Sequence, residues 1–158
     1  MHTHNYLNDK NFRIPSGLKN LDIDEILRGE ISAKEAYQQV LEKVEDDPEA
    51  YRLNQFKLDH ENAVRFWKKQ AKQTGVIPEK SSSIWGTVVE TFVGASKIIG
   101  EETALRALKK GEEHGLSHYQ KMLESDMLTD FQKSEIRKTF IPRQSRHIES
   151  INTMIKQK

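Results

Sequence analysis

Four stretches of the chain carry apolar residues at steps of three and four, and that spacing limits the possible folds more than any other feature of the sequence. Such steps return to one face of a helix on every turn. The first stretch runs Ile23, Ile26/Leu27, Ala33, Tyr37, Val40/Leu41 and Val44. Asp22 and Asp24 suit the positive N-terminal end of that helix. Glu45, Asp46, Asp47 and Pro48 close it, with Asp47 the expected N-cap and Pro48 the first residue of the next helix. The second helix carries Leu53, Phe56, Ala63, Phe66/Trp67 and Ala71 and stops near Gly75. The third runs from Glu101 to Ser125 with the stripe Leu105, Leu108, Leu116, Tyr119 and Met122/Leu123. Thr129 is placed to cap the last, which carries Phe140, Ile148, Ile151 and Met154/Ile155. Pro142 should kink or interrupt it, because proline lacks an amide hydrogen and clashes with the preceding turn.

Residues 75–83 form a polar connection, and Ser83 can cap a shorter apolar helix from Ile84 to Ile99. No segment alternates with the period of a strand. The pattern therefore predicts an all-α fold: an antiparallel four-helix bundle in two pairs, joined by a long crossover that contains an extra helix. Residues 1–20 are polar and aperiodic and read as a flexible N-terminal arm, and 21–158 read as one helical-bundle domain.

Composition narrows the functional classes. Lys and Arg number 25 against 24 Asp and Glu, so the chain lacks the basic footprint of a nucleic-acid binder. There is no cysteine, which excludes disulfides, thiolate zinc sites and cysteine nucleophiles. No apolar run approaches the ~20 residues that span a bilayer, and the start carries no hydrophobic leader, so the expectation is a cytoplasmic protein with no membrane insertion. Apolar residues are 35% and charged residues 31%, close to a disordered composition, but the periodic ordering argues for a packed core.

The first and third helices repeat each other at an offset of 82: Gly29/Gly111, Glu30/Glu112, Tyr37/Tyr119, Gln38/Gln120, Leu41/Leu123 and Glu42/Glu124 are identical pairs. Glu30 lies between Ile26/Leu27 and Ala33/Tyr37, and Glu112 between Leu108 and Gly115/Leu116. Both carboxylates thus fall inside apolar stripes and point toward the interior. A buried carboxylate must be protonated, hydrogen-bonded, paired or bound to a metal. Two of them at equivalent places imply one shared polar site. Tyr37 and Tyr119 are either redox-active neighbours of a metal or packing residues whose hydroxyls serve Glu30 and Glu112.

A bundle with inward Glu residues on its first and third helices resembles the ferritin-like superfamily, and the order Glu30, Ala33, Tyr37 resembles its rubrerythrin-type pattern. Glu112 and Tyr119 repeat it with Gly115 in the small position. Over residues 21–155 the chain looks most like an uncharacterised bacterial branch of that superfamily. Ferritin-like di-metal proteins use two lone Glu and two Glu-x-x-His pairs. The resemblance puts Glu30 and Glu112 at the lone Glu positions. The run DHENAVRFW puts Asp59 and Asn62 at one Glu-His pair, and the last helix puts Gln144 and His147 at the other. Three of six ligands match, Asp59 is shortened, and Asn62 and Gln144 are neutral amides. The resemblance with this loss implies a non-catalytic bundle with a degenerate di-metal site and no cofactor, acting as a stress-associated or interaction module. The alternative is a redox or oxygen-handling protein that binds iron or manganese through Glu30, Asp59, Glu112, Gln144 and His147.

His114 and His118 are four apart, a spacing that suits zinc, but they are expected to face away from the core without a third ligand. His60, beside Asp59, could replace Asn62 only if the helix rotates. Trp85, Phe92 and Val93 on the crossover need a surface to cover, either this bundle or a second subunit in a homodimer.

Overall fold

The computed structural model describes residues 21–73 and 100–158. The expected N-terminal arm and the expected helix over 84–99, with its proposed role in a homodimer, lie outside these residues. The described chain forms α1 (Leu21–Leu41), α2 (Asp47–Gln73), α3 (Glu101–Met122), α4 (Asp130–Glu135), one π-helical turn (Ile136–Phe140) and α5 (Ile141–Lys156). No strand occurs among the described residues. None of their helices is long and apolar enough to cross a membrane.

The cap of α2 sits one residue earlier than expected. The Asp46 carboxylate accepts from the Glu49 amide at 3.0 Å, and the Asp46 carbonyl accepts from the Ala50 amide at 2.9 Å. Thr129 caps α4 as expected, with a reciprocal pair: its hydroxyl accepts from the Gln132 amide, and the Gln132 side chain accepts from the Thr129 amide. Pro142 does not break the last helix. The Ile141 amide reaches back five residues to the Ile136 carbonyl, so a widened turn directly before the proline absorbs the lost backbone bond.

Contacts between helices fix their directions. Glu30 meets His60 and Gln38 meets Lys57, so α1 and α2 are antiparallel. Lys109 meets Asn152 and Tyr119 stacks on Phe140, so α3 and the last helical unit are antiparallel. Tyr37 with Glu112 and Asp22 with Ser125 make α1 and α3 antiparallel. It follows that α2 and α3 point the same way, and the ends joined by the connection after Gln73 lie at opposite ends of the bundle. At one end, the Lys158 ammonium bridges Glu49 and Glu101 at 2.8 Å each and ties three helices together.

The apolar core is divided. One cluster holds Ala33, Tyr37, Val40, Leu53, Leu105, Leu108 and Ile151. The other holds Ile26, Leu27, Trp67, Tyr119, Met122, Ile136 and Phe140. Between them each long helix inserts polar side chains: Glu30 from α1, His60 from α2, Glu112 from α3, and Gln144 and His147 from α5, all buried. The fold therefore sandwiches one polar layer between two dry ones.

The Thr129 hydroxyl holds the first turn of α4, the helix that runs into the π-turn. Thr129→Ala should lower stability by about 1 kcal/mol in chemical unfolding, while Thr129→Ser, which keeps the hydroxyl, should leave it nearly unchanged.

Candidate metal centre

Glu112 organises the polar layer. Its Oε1 accepts from the Tyr37 hydroxyl and faces His60 Nε2 at 2.8 Å and His147 Nδ1 at 3.0 Å. Its Oε2 is buried with no hydrogen-bond partner. The far nitrogen of each imidazole meets another carboxylate. His60 Nδ1 lies 2.5 Å from Glu30 Oε2, and His147 Nε2 lies 2.9 Å from Asp59 Oδ2. Tyr119 donates to Glu30 Oε1 and receives the Trp67 indole N–H at 3.0 Å. Phe56 stacks on the His147 ring at 4.2 Å and fixes its plane.

The internal repeat now has a physical meaning. The Tyr of each repeat donates to the Glu of the other: Tyr37 to Glu112, and Tyr119 to Glu30. Both tyrosines are fully buried. Burial, together with the carboxylate each one faces, lifts both phenols well above their ordinary range, so they remain donors.

Each of the two histidines has acceptors on both sides, so each must carry two protons to satisfy them. Burial alone would hold His60 down, but Glu112 and Glu30 outweigh it and lift it well above its usual value. His147 is raised despite its burial, through its bonds to Asp59 and Glu112. Burial would push Glu112 up, yet His60 and His147 hold it far below the usual carboxylate range. Asp59 is also lowered in spite of desolvation, by His147 and then Arg143. The centre sets three carboxylates against two imidazolium ions, and Arg143 reaches Asp59 from the rim at 3.7 Å.

His60, Glu112 and His147 each offer one potential ligand atom, and the three atoms lie within 4.8 Å of one another. A void of about 10 Å³, at the lower limit for one water, borders Glu30, Asp59, His60 and His147.

Of the residues singled out from sequence, Glu30, Asp59, Glu112, Gln144 and His147 converge on this layer. Gln144 turns its amide to the Glu112 backbone carbonyl at 3.3 Å, away from the carboxylates. It can lie there because residue 115 is glycine; a Cβ at that position would come within 2.2 Å of the Gln144 amide nitrogen. Asn62 is not in the layer: it is exposed and accepts from Arg65. The buried histidine of α2 is His60, two residues earlier and about 200° around the helix. The stripe arithmetic carries this signal, since Leu53, Phe56, His60, Ala63 and Trp67 step by three and four, and Asn62 falls outside the series.

His114 is exposed and His118 only partly buried, in keeping with their expected place away from the core. Both line a cleft of about 240 Å³ between α1 and α3, whose inner wall includes Glu30 and His60. Glu25 reaches across from α1, its Oε2 3.6 Å from His118 Nε2. Partial burial draws His118 below its usual value, against the opposing pull of Glu25.

The family described as Domain of unknown function (DUF2383) matches residues 21–125, more than half of the chain. The chain belongs to this family. No curated protein and no solved structure gives a significant match. The family match covers α1, α2 and α3, and with them Glu30, Tyr37, Asp59, His60, Glu112 and Tyr119; His147 lies beyond it.

The layer's ionisation dictates a pH profile. Glu112 and Asp59 are lowered on folding, so their stabilisation holds above the ordinary carboxylate value and is lost as pH falls. His60 and His147 are raised, so theirs is complete below the ordinary imidazole value and is lost as pH rises through the folded value. Chelator-treated protein should be most stable between about pH 4.5 and 6.5 and lose roughly 1–3 kcal/mol by pH 9. A flat unfolding free energy across pH 6 to 9 would show that the imidazoles are not doubly protonated.

Proposed function

We propose that this chain is a ferritin-like bundle that binds one divalent first-row metal ion at its centre, through His60, Glu112 and His147. The observation that carries this reading is the second partner of each imidazole. Both rings offer one nitrogen toward Glu112 and give the other to a carboxylate, Glu30 for His60 and Asp59 for His147. Metal-bound histidines are oriented this way, since the outer carboxylate fixes the tautomer and strengthens the donor atom. The orphaned Oε2 of Glu112 also fits, because a coordinated carboxylate needs no further partner.

Two histidines and one carboxylate form a donor set suited to non-haem iron(II), and manganese shares its preference for carboxylate oxygen. This differs from the di-metal set that the ferritin-like resemblance implies. Asn62 contributes nothing, Gln144 is held by backbone, and Glu30 and Asp59 serve as outer partners. The ferritin-like assignment itself is supported by the antiparallel α1–α2 and α3–α5 pairs, the parallel α2 and α3, and inward Glu residues on α1 and α3.

Charge bookkeeping makes the site self-consistent. Replacing the two protons that face Glu112 with one divalent ion leaves the net charge of the layer unchanged. Calorimetric titration with Mn²⁺ or anaerobic Fe²⁺ in buffers of different ionisation enthalpy should give about one buried ion per chain and release of about two protons per ion near neutral pH. His147→Gln and Glu112→Gln should each weaken binding by at least ~10-fold, and Tyr119→Phe should change it far less, since Tyr119 acts only through Glu30. If the natural protein takes up no ion under these conditions, the layer is a metal-free ionic core, a second reading supported by the hydrogen bonds its other polar atoms already make to one another.

A further inference from the structure

His114 and His118 are one helical turn apart on α3, a spacing that lets two imidazoles share one ion. On α1, Glu25 stands opposite with an oxygen 3.6 Å from His118 Nε2. The three side chains come from two helices and line the same cleft between α1 and α3, with Lys121 also on its lining. Glu25 and His114 are exposed and His118 is partly so, so each has the rotamer freedom to close on an ion. The cleft leads inward past Ala33 to Glu30 and His60.

We infer that His114, His118 and Glu25 form a second, outer site for a divalent transition-metal ion, at the mouth of a cleft that leads to the buried layer. Two neutral imidazoles and a carboxylate, with water completing the coordination, suit zinc, cobalt or iron in their divalent states. The site is open, and among the described residues no carboxylate hydrogen-bonds to His114 or His118 as Glu30 and Asp59 do to His60 and His147. It therefore binds more weakly and exchanges faster than a buried centre. Its place on the cleft gives it a role: an ion captured there is held at high local concentration beside the only charged groups on the inner wall, Glu30 and His60, among the described residues. The outer site stands on its own observations, and only this delivery role rests on the ion-binding reading of the buried layer.

Zinc calorimetry on four proteins separates the two sites. The natural chain should bind a tight and a weaker ion. His114→Ala/His118→Ala should lose the weaker ion and keep the tight one, and His147→Gln should lose the tight one and keep the weaker. Glu25→Gln should weaken the outer ion by about 3–10-fold while leaving the inner one alone. An unchanged isotherm in the His114/His118 double variant overturns the outer site. If instead the natural chain binds one ion that survives His147→Gln and vanishes in the double variant, the outer site stands and the buried ion fails. For delivery, stopped-flow loading of the buried site with substoichiometric Co²⁺ should slow about tenfold in the double variant. An unchanged loading rate overturns that role.

Discussion

A single buried carboxylate, Glu112, sets the terms for the rest of the molecule. It is almost fully excluded from water, so every helix around it must supply a compensating donor. Tyr37 comes from α1, His60 from α2 and His147 from α5, and all three meet the same oxygen. Those demands propagate outward. His60 and His147 become cationic and require acceptors on their far sides, which Glu30 and Asp59 provide. Glu30 then needs a donor of its own, and Tyr119, braced by Trp67, fills that need. Register between the helices is therefore set by polar geometry at the middle, while the apolar clusters above and below supply most of the burial. A slide of one turn would leave several ionised groups unpaired at once, and a buried unpaired charge is far more destabilising than a mispacked leucine.

The repeat between α1 and α3 supplies half of this layer with approximate two-fold logic, and the remaining helices break it. Tyr37 with Glu112 and Tyr119 with Glu30 are the same pair read in both directions. On α2 and α5 the relation fails. Glu30 meets a histidine thirty residues further on, whereas Glu112 meets one thirty-five residues further on. At the offset of 82 that relates α1 to α3, His60 would correspond to Pro142. The connection through Thr129 and the widened turn before Pro142 shift the register of the last helix, and His147 arrives in the layer only because of that shift. The result is asymmetric: Glu112 touches both imidazoles and Glu30 touches one.

This asymmetry explains what could and could not be read from the residue order. The helices, the inward Glu residues and the Thr129 cap follow from local period and local hydrogen bonding, which need no knowledge of partners. The family match over residues 21–125 and the all-helical fold agree with that level of reading. Motif likeness favours Asn62 as the α2 ligand, whereas helix phase favours His60. Position 60 continues the stripe through Leu53, Phe56, Ala63 and Trp67, and position 62 leaves it. The pairing of Tyr37 and Tyr119 across the repeats could not be seen in the same way. Each tyrosine lies seven residues from the Glu on its own helix, so the exchange appears only when α1 and α3 are laid antiparallel. The place of Glu25 opposite His118 was hidden for the same reason: the two residues are far apart in sequence and are joined by packing alone.

On the proposed reading, the layer's charge balance would let one fold hold either protons or an ion at its centre. Hydrogen bonds between the imidazoles and Glu112 hold the donors together with two protons as the positive charge. One divalent ion carries the same charge and can occupy the same faces of the rings, leaving the outer bonds to Glu30 and Asp59 in place. The helices therefore need not reorganise between the two conditions, and the apolar clusters on either side remain packed. A bundle whose interior charges were balanced by fixed Lys or Arg would lack this property, because those cations cannot be exchanged. Histidine is the side chain that can both carry the balancing proton and release it to bind a metal through the same nitrogen.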